Sequence, residues 1–125
     1  MNITTRKLSD AHEAHLADLL GGRMTKGSGN QWHDQSDGKQ PMDLPYSFSW
    51  DGKASMGKSI SVTREMWVKI RQQAHDRRPA IPLRWYDTEK LDVGLDLVVI
   101  LLDDFACLLA DANRWQQALA RGEVT

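Results

Sequence analysis

The sequence predicts an α/β domain in which helices flank a central mixed β-sheet. Three observations carry this expectation. Residues 10–20 and 63–75 repeat apolar side chains at helical spacing, with Leu16, Leu19 and Leu20 in the first and Val62, Met66, Ile70 and Ala74 leading through the second. Tyr46-Ser47-Phe48-Ser49-Trp50 alternates apolar and polar residues, as a half-buried strand does. Residues 97–102 form an apolar run that ends at Asp103-Asp104, the pattern of a buried strand.

The elements follow in order. Asp10 is placed to cap the first helix, and Gly21-Gly22 to stop it. Residues 21–36 are polar and glycine-bearing and read as a loop. Residues 37–50 contain Pro41 and Pro45 and read as a hairpin with its prolines near the edges. Pro79 closes the second helix, and residues 80–86 and 95–102 read as strands. Phe105, Leu108, Leu109, Ala112 and Leu119 mark a closing helix. A chain of 125 residues without repeats is expected to form one domain over residues 1–125.

Composition narrows the function classes. Hydrophobic residues make up 41% and five are Trp, enough for a packed core rather than a disordered chain. The single Cys107 cannot form an internal disulfide, and its apolar neighbours suggest a core thiol. Met1 to Arg6 lacks the apolar core of a signal peptide, and the longest apolar run is too short to span a bilayer. The expectation is a soluble, cytoplasmic protein. Net charge is -1, but residues 1–80 carry twelve Lys and Arg against nine acids, whereas residues 81–125 carry four against eight. A local basic face on the first part is therefore plausible.

The chemistry concentrates at Asp51-Gly52-Lys53. On a strand, residues two apart project to one face, so Asp51 and Lys53 would share a site. Asp37 lies upstream, after the loop, and Glu13 lies on the first helix. Two carboxylates can hold a divalent cation through oxygen ligands, and an ammonium beside them can stabilise developing charge and orient a water. Each residue also has a structural reading. Asp37-Gly38 and Asp51-Gly52 are both hairpin-turn signals, and Glu13 could be the reciprocal acid of a cap at Asp10. His12 and His15 read as surface histidines.

Taken together, Glu13, Asp37 and Asp51-Gly52-Lys53 resemble the motif set of the PD-(D/E)XK nuclease superfamily. The stretch Gly27-Ser28-Gly29-Asn30-Gln31-Trp32-His33, then Asp37, Asp51-x-Lys53 and Ser59-Ile60-Ser61-Val62-Thr63, is similar to small Holliday junction resolvase-like proteins, many of them phage-encoded. That resemblance covers roughly residues 10–102 and implies a restriction-endonuclease-like sheet and a homodimer cutting branched DNA with Mg²⁺ or Mn²⁺. Asp37, Asp51 and Glu13 would bind the metal and Lys53 would assist the attacking water. Arg23, Lys26, Ser28 and Lys58 would contact DNA. The chain departs from the family pattern at Ser36, where proline is usual, and at Gly52, which suggests a bulge.

Two alternatives stay open. Gly52 to Ser59 satisfies the phosphate-loop expression G-x-x-x-x-G-K-S, which would make the chain an NTP-binding protein. That reading needs a buried parallel strand before the loop and a helix N-terminus after it. A non-catalytic DNA-binding module, with Arg64, Arg71, Arg77 and Arg78 on backbone phosphates, is the other.

Overall fold

A single strand buried along most of its length organises the sheet. In the computed structural model, residues 5–21, 23–24, 38–40 and 44–123 are described. The elements are α1 (Thr5–Leu20), β1 (Arg23–Met24), β2 (Gly38–Lys39), β3 (Phe48–Trp50), β4 (Lys53–Ser55), α2 (Arg64–Ala74), β5 (Arg78–Tyr86), β6 (Val93–Ile100) and α3 (Leu102–Ala120). From Pro79 to Arg84 every residue of β5 is buried, as expected of a strand covered on both faces.

The six segments occupy five positions in an open mixed sheet. β1 and β2 are antiparallel, as are β2 and β3; β3 and β4 both run parallel to β5, and β6 closes the far side antiparallel to it. β3 and β4 lie in one line, because Phe48 faces Arg78 and Lys53 faces Leu83 with the same offset. No residue is inserted between them, so the bulge expected at Gly52 is absent. The interruption has a different cause. Asp51 N–H donates to the Ala80 carbonyl at 3.1 Å. The next rung would need an N–H from Pro82, which has none.

Alternation along β5 sends successive side chains to opposite faces. Ala80 joins Leu16 of α1 and Trp50 in one core cluster, with Phe48 and Ile100 against it. Ile81 and Leu83 join Ile70 of α2, flanked by Ile60, Val62, Trp67, Trp85 and Val99. The two helices thus cover opposite faces, giving three layers.

The helix boundaries follow local chemistry. Thr63 caps α2: its Oγ1 accepts from Met66 N–H at 3.2 Å, and Met66 Sδ accepts from Thr63 N–H at 3.4 Å. α1 ends at Gly21, which takes a positive φ of 67°. Its start differs from the sequence expectation. The helix begins at Thr5, so Asp10 lies inside it and is not the cap. The buried stripe is Leu8, His12 and Leu16, and its four-residue period reaches further back once the histidine counts as a core residue.

β6 and α3 also depart from expectation. Rather than a buried strand, β6 leaves Val93, Leu95, Leu97 and Val98 exposed. α3 attaches through polar contacts, Asp104 to Arg78 at 2.5 Å and Asp111 to the Tyr46 hydroxyl. Arg78 also lies over the Tyr46 ring, 4.7 Å from its centroid. Cys107 is exposed on this helix and is not a core thiol. No helix among the described residues is long and apolar enough to cross a membrane.

Gly38 makes room for the Trp50 indole. A Cβ there would stand 2.5 Å from three indole atoms, and Trp50 is fully enclosed. Gly38→Ala is expected to lower stability by about 1–3 kcal/mol in urea unfolding. The loss should shrink in a Trp50→Phe background, whose smaller ring vacates those positions; an unchanged loss would contradict the contact.

Candidate active site where β3 runs into β4

The line of β3 and β4 decides between the two readings of Asp51-Gly52. A hairpin turn would send the chain back antiparallel, yet both segments run parallel to β5. Asp51 and Lys53 therefore sit two apart on an extended run, and their side chains meet. Lys53 Nζ is 3.6 Å from Asp51 Oδ2, an ion pair too long to be a hydrogen bond. The Asp51 side chain is 21% exposed and Lys53 40%, so both can reach a ligand from solvent.

α1 brings the third group. At Gly52 a Cβ would stand 2.8 Å from His12 Cδ2 and 3.0 Å from Leu16 Cδ1. Only a residue without a side chain lets the helix settle this closely on the strand. Glu13 follows His12 in the chain, and it lies near enough to Asp51 to respond to its charge. The Glu13 carboxyl is pushed above the usual carboxylate range, first by burial and then by the Asp10 and Asp51 charges. With Asp10 inside the helix, the capping role for Glu13 falls away. Asp51 and Lys53 thus meet on the strand, and Glu13 of α1 lies near enough to Asp51 to feel its charge.

The remaining sequence candidates are placed as follows. Asp37, Lys26 and Ser28 lie outside the described residues. Gly38, next to Asp37 in the chain, pairs with Trp50, next to Asp51. Arg23 lies on β1, with only its backbone described. Lys58 is exposed in the turn after β4. Among the described residues no three His, Cys, Asp or Glu side chains gather as a metal-holding group. The pair Glu13 and Asp51 nonetheless suits a divalent cation, because Mg²⁺ is often held by one or two carboxylates together with substrate phosphate oxygens. The Asp51 charge disfavours ionisation of Glu13, a penalty that a bound cation would relieve.

The phosphate-loop segment takes another shape. Lys53 to Ser55 form β4, and Gly57 N–H donates to Ser55 Oγ at 2.8 Å. Ser59 does not open a helix; α2 starts at Arg64.

Several residues were missed by sequence reasoning. His12 is not a surface histidine; it is 2% exposed. Its Nε2 lies 3.2 Å from the Pro82 carbonyl, which can only accept, so that nitrogen carries the proton. Burial is the main cause holding the His12 pKa below its usual value. The signal was its spacing, four residues from both Leu8 and Leu16. Arg84, also buried, donates to both Asp96 oxygens at 2.6 Å. This fork lowers the Asp96 pKa and raises that of Arg84. Asp96, His12 and His15 line a cavity of about 270 Å³ with Leu16, Leu20 and Val98.

The Glu13 shift makes a pH prediction. A pKa raised by folding means the ionised side chain opposes folding; this stability is present below the ordinary value of 4.5 and is lost as pH rises through the folded-state value. Glu13→Gln should therefore be more stable than the wild type at pH 7 in urea unfolding, with the advantage fading below pH 4.5. A variant less stable than the wild type at pH 7 would contradict this environment for Glu13. Compared with models of protein families, with curated proteins and with solved structures, the chain matches none.

Proposed function

We propose that the chain is a divalent-metal-dependent endonuclease of the PD-(D/E)XK type that cleaves DNA, with branched junctions as its preferred substrate. The observation that carries this reading is the pairing of Asp51 with Lys53 at the break between β3 and β4, with Glu13 near enough to feel the Asp51 charge. The element order supports the restriction-endonuclease-like assignment: a helix, antiparallel strands leading to the acid, then a helical crossover into a parallel strand.

Phosphodiester hydrolysis needs a water aligned opposite the leaving oxygen and neutralisation of the charge that develops. Bound Mg²⁺ or Mn²⁺ supplies Lewis acidity and positions a water and a phosphate oxygen. In this reading Asp51, Asp37 and Glu13 hold the metal. Lys53 keeps its ammonium beside the reacting phosphate, where it stabilises negative charge and orients the attacking water. Arg23, Lys26, Ser28 and Lys58 contact the DNA backbone, which makes binding salt-dependent. The strand at 53–55 and the late start of α2 count against the NTP-binding alternative.

The test is incubation of purified protein with labelled four-way junction, duplex and single-stranded DNA, in Mg²⁺ or in EDTA. The expected result is junction cleavage in Mg²⁺ alone. Asp51→Asn and Lys53→Ala should each lower its rate by roughly 10²–10⁴-fold while leaving junction binding in place. Cleavage that survives both substitutions would remove this site from the chemistry. Binding with no metal-dependent cleavage by the wild type would identify a non-catalytic module instead.

A further inference from the structure

The cavity beside α1 arises because the helix covers only part of the sheet. α1 seats over Gly52, on the β3–β4 side of β5, whereas β6 lies on the other side of β5. Ala80 shares a cluster with Leu16, so by alternation Ala80, Pro82 and Arg84 face α1. Their partners across the antiparallel ladder, Ile100, Val98 and Asp96, face the same way. Asp96 and Val98 therefore stand beside the helix rather than beneath it, and a cavity of about 270 Å³ opens between the two.

The two ends of this cleft differ in chemistry. Leu16, Leu19, Leu20, Pro82 and Val98 form an apolar body, with Leu19 66% and Val98 59% exposed. Asp96 and His15 form the polar end. An ionised carboxylate offers about four acceptor sites, and Arg84 takes one on each oxygen at 2.6 Å. The Asp96 side chain is 46% exposed, so its other acceptor sites can meet a ligand. His15 Nε2 lies 3.9 Å from Asp96 Oδ2, too far for a hydrogen bond. A single nitrogen placed between them can donate to both when His15 is neutral and carries its proton on Nδ1.

These groups select the ligand. Nothing at the polar end draws an anion, because Arg84 is buried and its fork is committed to Asp96. A wholly apolar ligand would strip water from the carboxylate and return no hydrogen bond. An amine with an apolar body satisfies both ends: its ammonium gives charge-assisted bonds to Asp96, and its body takes the leucines out of water. Clefts for drug-sized ligands hold roughly 300–1,000 Å³, so the volume here suits one or two rings on a short chain.

We propose that the cleft between α1 and β6 binds a small hydrophobic amine, with its ammonium between Asp96 and His15 and its ring against Leu16, Leu19 and Val98. The site does not rest on the nuclease reading, so either can fail while the other holds. The test is to titrate tryptamine into ¹⁵N-labelled protein at pH 7 and, separately, indole-3-propionate, which carries the same ring on an anionic chain. Tryptamine should shift the amide signals of residues 15–20 and 96–98 in a saturable way, and indole-3-propionate at the same concentrations should not. Asp96→Asn should weaken tryptamine binding by at least ~10-fold. Val98→Phe narrows the cleft from an exposed position and leaves the Arg84–Asp96 fork intact. It should weaken binding by a similar factor, with the remaining amide signals unchanged. An equal response to the two compounds overturns the proposal, as does no response to tryptamine or a response centred on residues 51–53. Tryptamine binding that is unchanged in Val98→Phe overturns it as well.

Discussion

The close seating of α1 on the strand at Gly52 is the contact on which the rest of the site depends. Three local deficits combine there: Gly52 has no side chain, Pro82 has no N–H, and His12 brings a donor into an apolar layer. The imidazole fills the space a Cβ would take and donates a hydrogen bond to the Pro82 carbonyl. That bond satisfies Nε2, one of the two ring nitrogens, while Nδ1 lies buried without a hydrogen-bond partner among the described residues. Glu13, the next residue, is thereby brought near enough to Asp51 to feel its charge. Burial disfavours a positive charge on His12, and Lys53 supplies an ammonium that pairs with Asp51.

The acidic balance of the later part of the chain has a structural use. Asp96 is held in the fork of Arg84, Asp104 by Arg78, and Asp111 by Tyr46. These contacts join β5 to β6 and fasten α3 to the body. Arg78, a candidate phosphate contact in the sequence, is therefore a structural residue, and the DNA-binding reading is left to cations elsewhere. One consequence of fastening α3 by its charged side is that its apolar side faces water.

Much of the fold was legible in the sequence because its signals are local. The helical period of residues 63–75 placed α2 almost to the residue, and the alternation at 46–50 located β3. The candidate site was legible for a similar reason: i and i+2 on a strand share a face whatever surrounds them, so Asp51 and Lys53 needed no tertiary information. What was not legible depended on partners far along the chain. The break at 51–52 is set by Pro82, some thirty residues away, and it looked like a turn because Asp-Gly so often is one. The burial of His12 depends on a carbonyl on β5. The exposure of residues 93–98 and of Cys107 could not be read from hydrophobicity, which is the same for a core strand and for an exposed one.

The account rests on a divalent cation settling between the Asp51 and Glu13 carboxylates beside Lys53. The most direct test is to titrate Mn²⁺ into ¹⁵N-labelled protein and map where amide signals broaden. The account predicts loss of signal centred on residues 51–53 and on Glu13, reversed by excess Mg²⁺ and abolished by Asp51→Asn. Broadening centred elsewhere, or unchanged by that substitution, would contradict it.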